Sequence, residues 1–229
     1  MVANRILALL PEQERNTLLQ NGVMMFLPIR RILYAPGQPF DAIYFPADCV
    51  VSLVIGVEDA MQVEMATIGS EGVVGVFSML NAEKALGSHV VQIAGDALRV
   101  EFRMFNRYLQ QTAVLRSLMQ KYLYALMHQI MHTGACNQMH TMEERCARWL
   151  LMMHDRSGGD SFLLTQEFLS EMLGVRRATV NLTIGMLKSA GLVTYVRGRI
   201  TILDRTALES ASCPCYGLIK REYEELRLK

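Results

Sequence analysis

Two groups of side chains in this 229-residue sequence have the means to do chemistry. The first is cationic. Between Gly174 and Arg205 stand Arg176, Arg177, Lys188, Arg197, Arg199 and Arg205 against Asp204 alone, in a chain whose formal net charge is only +1. Cations focused in one short window suit a phosphate backbone, although a solvated charged face is the ordinary alternative. The second group is soft. His128, His132, Cys136 and His140 recur every fourth residue, nitrogen and sulfur donors that zinc or haem could take from one side of a helix. The row drifts by ~40° per step, so only two or three of them, nominally His128, His132 and Cys136, can meet one ion. Cys213-Pro214-Cys215 offers two more thiols for a metal or an oxidant, but no cysteine pair elsewhere supplies the other half of a four-ligand site. These donors are expected to be a polar stretch of an interface helix and surface thiols, with no cofactor. The sequence has no Gly-rich phosphate loop, no H-E-x-x-H and no G-x-S-x-G, so an enzyme is not expected.

The elements that carry the cationic window decide its meaning. Thr165 is a good N-cap and Glu167 follows in the first turn, where negative charge suits the helix dipole. Phe168, Leu169, Met172 and Leu173 share one face, Gly174 can stop the helix in the left-handed conformation, and Val175 can plug the angle to the next helix. In that second helix Val180, Ile184 and Leu187 make the buried face. Arg177, Ala178, Asn181, Leu182, Gly185 and Lys188 fall away from it. A helix-turn-helix over roughly Thr165 to Ala190 follows, with its second helix presented to a major groove. Leu192 to Val196 and Ile200 to Leu203 read as a hairpin turned at Arg197-Gly198-Arg199, a wing whose arginines reach phosphates. Asp204 and Thr206 can cap a further helix, Glu209 completing a capping box with Thr206.

Upstream, Asn4 to Leu19 reads as short helices broken at Pro11. From Ile32 the texture changes to short β-branched and aromatic runs, Ala42 to Phe45, Val50 to Val57, Gln62 to Ile68, His89 to Ile93 and Ala97 to Phe102, separated by Pro and Gly signals. These predict an antiparallel sandwich or roll. After Phe105 the breakers vanish for nearly thirty residues, which predicts one long helix. On it Leu115, Met119, Tyr122, Leu126, Gln129, Thr133 and Cys136 form a heptad-like seam, able to pack on its own domain or on a twin; the twin is favoured because the seam runs for several turns. Thr141 to His154 is a further helix. The fold class is α+β, in three parts: a β-roll sensor domain at 1–108, a dimerisation helix at 109–138, and a winged-helix domain at 139–229. With 51% hydrophobic and 20% charged residues the chain can bury a core in two modest domains. No apolar run approaches a bilayer span, and five cysteines without a framework fit reduced thiols, so a cytoplasmic protein without membrane contact is expected.

At LTQEFLSEMLGVRRATV the chain resembles the cyclic-AMP receptor protein and FNR (CRP/FNR) family of bacterial regulators, and YAPGQPFDAIYFPADCVVSL with the later EGVVG is similar to that family's β-roll. The resemblance implies a transcription regulator, a homodimer on an inverted repeat of double-stranded DNA, and RNA polymerase as a partner. It also implies where the chain departs. Val76 stands in place of the family's Glu and Gly87-Ser88 in place of its Arg-Ser pair, so cyclic AMP is not expected to bind by the usual contacts. On the reading face Arg177 can still meet guanine and Asn181 adenine, while Ala178 and Leu182 can only meet thymine methyls. Arg176 takes the usual Ser cap position, at a cost of about 1 kcal/mol unless a phosphate offsets it. DNA contacts are thus expected from Thr165, Arg176, Arg177, Ala178, Asn181, Leu182, Lys188, Arg197 and Arg199. The competing reading is a winged helix that docks a protein on an inert β-roll scaffold, for which Ala178 and Leu182 on the exposed face speak.

Overall fold

A computed structural model of the chain describes residues 4–57 and 61–226. Helix α1 (Arg5–Ala8) is capped by Asn4, whose Nδ2 donates to Pro46 O and Gly72 O and so ties the first helix to the sheet region. Helix α2 (Glu12–Asn21) follows Pro11. The five expected strands, joined by two that the sequence reading did not name, Gly22–Leu27 and Ile32–Tyr34, form two antiparallel sheets. One has the order β1-β7-β3, from Gly22–Leu27, Gly95–Glu101 and Ala42–Pro46. The other has the order β2-β6-β4-β5, from Ile32–Tyr34, Ser88–Ile93, Val50–Val57 and Met61–Ile68. Ile43, Phe45, Val51, Ile68, Val91, Leu98 and Val100 point between them and are buried. Strand β1 is absent from the sequence reading, and its residues explain why: Val23, Met24 and Phe26 are exposed and apolar, so the alternation that marks a half-buried strand is missing.

The long helix departs from expectation in two ways. It is two helices, α3 (Phe102–Gln111) and α4 (Ala113–Met139), because Thr112 is extended at φ −117°, ψ 104°. Arg116 steadies the break by donating to Leu109 O and Gln110 O at the end of α3. Second, the seam Leu115, Met119, Tyr122, Leu126, Gln129, Thr133 and Cys136 is buried within the single chain. It packs on β5 and on α9 (Cys215–Glu224), with Gln129 Nε2 donating to Thr67 Oγ1 and Tyr223 Oη donating to Gln129 Oε1 at 2.7 Å. Residues wrapped in this way have no surface left for a twin. The opposite side of α4 is the open one, carrying Gln120, Tyr124, Met127, Met131, Gly134 and Gln138 at steps of four and three.

Helix α5 (Met142–Ser157) starts at a capping box between Thr141 and Glu144, and its Trp149 donates to Glu64 Oε1 of β5 at 2.9 Å. The capping box expected at Thr206 and Glu209 does not form. Asp204 alone caps α8 (Arg205–Ser210), accepting from Ala207 N, and Glu209 pairs with Arg205. Among the described residues no helix is long and apolar enough to cross a membrane.

Candidate nucleic-acid interface

Helix α6 (Gln166–Leu173) begins where Thr165 Oγ1 accepts from Phe168 N at 3.1 Å, which satisfies one of the free amides of the first turn. It ends at Gly174, left-handed at φ 63°, with Val175 N donating to Ser170 O in a Schellman closure. Arg145 of α5 adds a hydrogen bond to Leu173 O at 2.7 Å. Val175 is half-buried in the angle, as its position predicts. Helix α7 (Arg177–Ser189) then buries Val180, Thr183, Ile184 and Leu187. Arg177, Ala178, Asn181, Leu182, Gly185 and Lys188 are exposed, Leu182 at 71%.

The start of α7 is unusual in a useful way. Arg176 occupies the N-cap and makes no side-chain cap bond. The first amides and the positive end of the helix dipole thus lie beside an arginine, an arrangement suited to an anion. Asn181 is held by Gln166, whose Nε2 donates to Asn181 Oδ1 at 3.1 Å and leaves the Asn181 amide nitrogen free to donate. Gln166 is a site residue that sequence reasoning missed. It sits in the first turn of α6, fifteen residues from its partner, and only the crossing of α6 and α7 joins them.

Strands β9 (Val193–Val196) and β10 (Arg199–Ile202) form the wing, and β8 (Ser161–Leu163) pairs with the other edge of β10. Arg197 and Gly198 have φ of 48° and 75°, the two positive values that a type I′ turn requires. Arg197 and Arg199 are exposed at the tip. None of Arg176, Arg177, Lys188, Arg197 and Arg199 joins an ion pair among the described residues. Arg205, the sixth cation of the window, is spent internally on Asp155 at 2.6 Å and Glu209 at 2.9 Å. Five cations without an ion pair among the described residues thus lie on α7, its N-cap and the wing. Thr165 is exposed, and its hydroxyl, which accepts from Phe168 N as the cap, keeps its own hydrogen to donate.

The sensor end has its own geometry. Val76 is buried at the start of a 3-10 helix, Val76–Leu80, and Ser88 is half-buried at the start of β6. A Cβ placed on Gly87 would lie 2.5 Å from both Val54 O and Ile55 Cδ1, so no longer side chain fits there without moving backbone. Tyr34, Phe40, Tyr44 and His89 pack edge to face nearby, Tyr34 lying 5.0 Å from Phe40 and 5.5 Å from His89. Burial pushes the His89 imidazole down to about 4, so it is neutral at ordinary pH.

The histidine row divides in the structure. His128 and His132 pair with each other, ring centroids 4.3 Å apart and planes tilted by 51°, and neither joins the four-donor group formed by Cys136. Cys136 instead turns towards His140, Cys213 and Cys215, which are gathered at the end of α4. Cys213 and Cys215 are buried rather than on the surface, and the second pair of donors that the sequence seemed to lack is Cys136 with His140.

Residues 144–211 match the Crp-like helix-turn-helix domain, which spans α5, α6, α7, the wing and α8. No curated protein matches the chain. Among solved structures the chain is similar to FixK2 from Bradyrhizobium japonicum, with a TM-score of 0.71 and 15% identity over 84% of this chain and 98% of that one. It is also similar to the c-di-GMP responsive global regulator CLP of Xanthomonas campestris, with a TM-score of 0.66 and 13% identity over 85% and 100% of the two chains. A CRP/FNR-family transcriptional regulator from Thermus thermophilus gives 0.63 and 18% over 83% and 98%. The chain thus carries a Crp-like helix-turn-helix on the fold of CRP/FNR regulators.

Proposed function

We propose that this protein is a transcription regulator that binds an inverted-repeat operator as a homodimer, reading bases with α7 and holding phosphates with the wing. The observation that carries the reading is the set of five exposed, unpaired cations on the exposed side of α7 and the type I′ tip, above a helix-turn-helix whose scaffold is satisfied at every cap but the one facing the groove. Arg177 is placed for a bidentate contact to guanine, Asn181 for adenine, and Ala178 and Leu182 for thymine methyls. Arg176, Lys188, Arg197 and Arg199 serve the phosphates.

The second copy is proposed on the open side of α4, at Tyr124, Met127 and Met131, not on the seam read from sequence. These three are 62%, 47% and 63% exposed in the single chain and lie in register for a helix pair. The sensor domain is read as one that does not take cyclic AMP by the usual contacts. Support comes from the buried apolar Val76 and from Val54 O and Ile55 Cδ1 crowding Gly87, which leave neither a carboxylate for a ribose nor room for an arginine on a phosphate.

Fluorescence anisotropy on genomic duplex fragments tests the reading. Specific binding at physiological salt, falling steeply as salt rises, is expected. Equal affinity for specific and random duplex sinks it. The exposure of Leu182 and Met186 favours a second reading, a winged helix that docks a protein. A stoichiometric protein partner without DNA affinity would select that reading instead.

A further inference from the structure

Four donor groups meet where the long helix hands over to α5. Cys136 lies in the last turn of α4, His140 is its C-cap, and Cys213 and Cys215 flank Pro214 at the start of α9. Their donor atoms all lie within 4.8 Å of one another. Cys136 Sγ is 3.4 Å from Cys213 Sγ, and Cys215 Sγ is 3.9 Å from His140 Nδ1. The three thiols are buried and the imidazole half-buried. Zinc bonds of ~2.3 Å to sulfur and ~2.0 Å to nitrogen give a tetrahedron with edges of roughly 3.5 to 3.8 Å, so shifts of about 1 Å or less complete the shell.

We infer that Cys136, His140, Cys213 and Cys215 form a closed Cys3His site for one zinc ion, which clamps α9 to the end of α4. The donor set decides among ions. Soft thiolates with one imidazole suit zinc far better than magnesium or calcium, which take oxygen. Four protein donors fill a tetrahedron and leave no open position, the mark of a structural rather than a catalytic zinc. An iron-sulfur cluster spreads its thiolates over several irons, farther apart than this group stands.

Charge supplies an independent argument. Three thiolates, a neutral imidazole and Zn2+ sum to one negative charge. Arg148 of α5 is only 4% exposed; its Nη1 lies 3.2 Å from Met152 Sδ and its Nε has no hydrogen-bond partner. Its charge acts on all three of these sulfurs. Among the described residues Arg148 joins no ion pair, and Glu64, on which its charge also acts, is bonded to Ser52 and Trp149. A buried guanidinium without a counter-charge is costly, and an anionic metal-thiolate centre provides one.

The site does not depend on the DNA-binding reading, and its test uses no DNA. The full-length protein, purified reduced and without chelator, is expected to hold one zinc per chain by elemental analysis. After zinc is removed, Co2+ should give thiolate-to-metal absorption and the strong visible bands of a tetrahedral ion, saturating at one equivalent. Cys213→Ser, Cys215→Ser and the more exposed His140→Ala should each weaken Co2+ binding by roughly 100-fold or more. Cys49→Ala and Cys146→Ala, at buried thiols outside the group, should not. Circular dichroism on each variant separates loss of a ligand from loss of the fold. Reduced protein with zinc far below one equivalent and no Co2+ spectrum overturns the site. So does unchanged affinity in the folded Cys213→Ser, Cys215→Ser double variant, or a Cys136–Cys213 disulfide in a chain that binds no Co2+ once reduced.

Discussion

At the scale of single residues, chemistry is set by where a proton or a charge is left over. Ser52 Oγ lies 2.6 Å from both Glu64 Oε2 and Gln92 Oε1, yet a hydroxyl has one hydrogen to give. Turning the Gln92 amide resolves this, because its Nε2 otherwise has no partner: Gln92 Nε2 donates to Ser52, Ser52 donates to Glu64 Oε2, and Trp149 donates to the other Glu64 oxygen. Burial nevertheless pushes the Glu64 carboxyl up to about 7, against the pull of both hydrogen bonds. Because the folded state then binds a proton that the unfolded chain has already released, Glu64 lowers stability as pH rises from about 4.5 through 7, by at most about 3 kcal/mol. Neutral His89 acts the other way, adding stability as pH rises from about 4 to 6.5. Melting temperatures of the native protein and of Glu64→Gln, measured from pH 5 to 8, should diverge in favour of the amide towards pH 8; parallel curves would refute the proton on Glu64. A second residue-scale prediction separates reading from holding. Arg177→Ala should relax base preference by about 1 to 3 kcal/mol at one position. Arg197→Ala should weaken all duplexes alike and reduce the salt slope by about one. Identical behaviour in a titration series would overturn the roles assigned to α7 and the wing. Arg177 and Arg197 were legible in the sequence because type and turn position identify them. Gln166, Glu64 and Arg148 were not, since each matters only through a partner brought by another element.

Among the elements, α4 is the instructive case. Its heptad spacing was visible in the sequence, but periodicity reports a stripe and not what covers it. This helix has two stripes, one buried on β5 and α9, the other led by Tyr124, Met127 and Met131. The two make opposite predictions. Leu126→Ala should cost about 2 to 5 kcal/mol in the chain's own stability, seen in denaturant unfolding, because it opens a cavity in the protomer core. Met127→Glu with Met131→Glu should leave protomer folding nearly untouched and yield a monomer by sedimentation. If Leu126→Ala spared stability and dissociated the dimer, the seam read from sequence would be the interface after all. The same limit on local pattern accounts for the strands that were missed. β2 and β8 have three residues each, too few for any alternation, and β1 leaves the apolar Val23, Met24 and Phe26 exposed on both its faces. It also accounts for the donor cluster. Cys136 was grouped with His128 and His132, and Cys213 with Cys215 read as half a site; α9 folding back along α4 brings that pair to Cys136 and His140 instead.

For the whole molecule, in the proposed homodimer, the question is what fixes the distance between two reading heads. Strand β5 touches α4, α5 and α6 together: Gln129 bonds Thr67, Trp149 bonds Glu64, and Val63 packs 3.2 Å from where a Gly174 Cβ would stand. The β-roll, the long helix and the helix-turn-helix are therefore braced at one strand, with the Cys3His group at the turn between α4 and α5. A head braced in this way should have little freedom to swing. In a dimer paired along α4, the two α7 helices then face successive major grooves one turn apart, about 10 base pairs. Inserting about 5 base pairs between half-sites rotates one groove to the far side of the duplex. Affinity should then fall to the level of a single half-site, while inserting a full turn should recover less than the native spacing because the heads cannot separate. The Met127→Glu, Met131→Glu monomer supplies the control, since it should bind every spacing equally. Strong binding by the native protein at the half-turn spacing would mean that the winged helix is a loose tether on the β-roll, and that the bracing by β5 does not govern recognition.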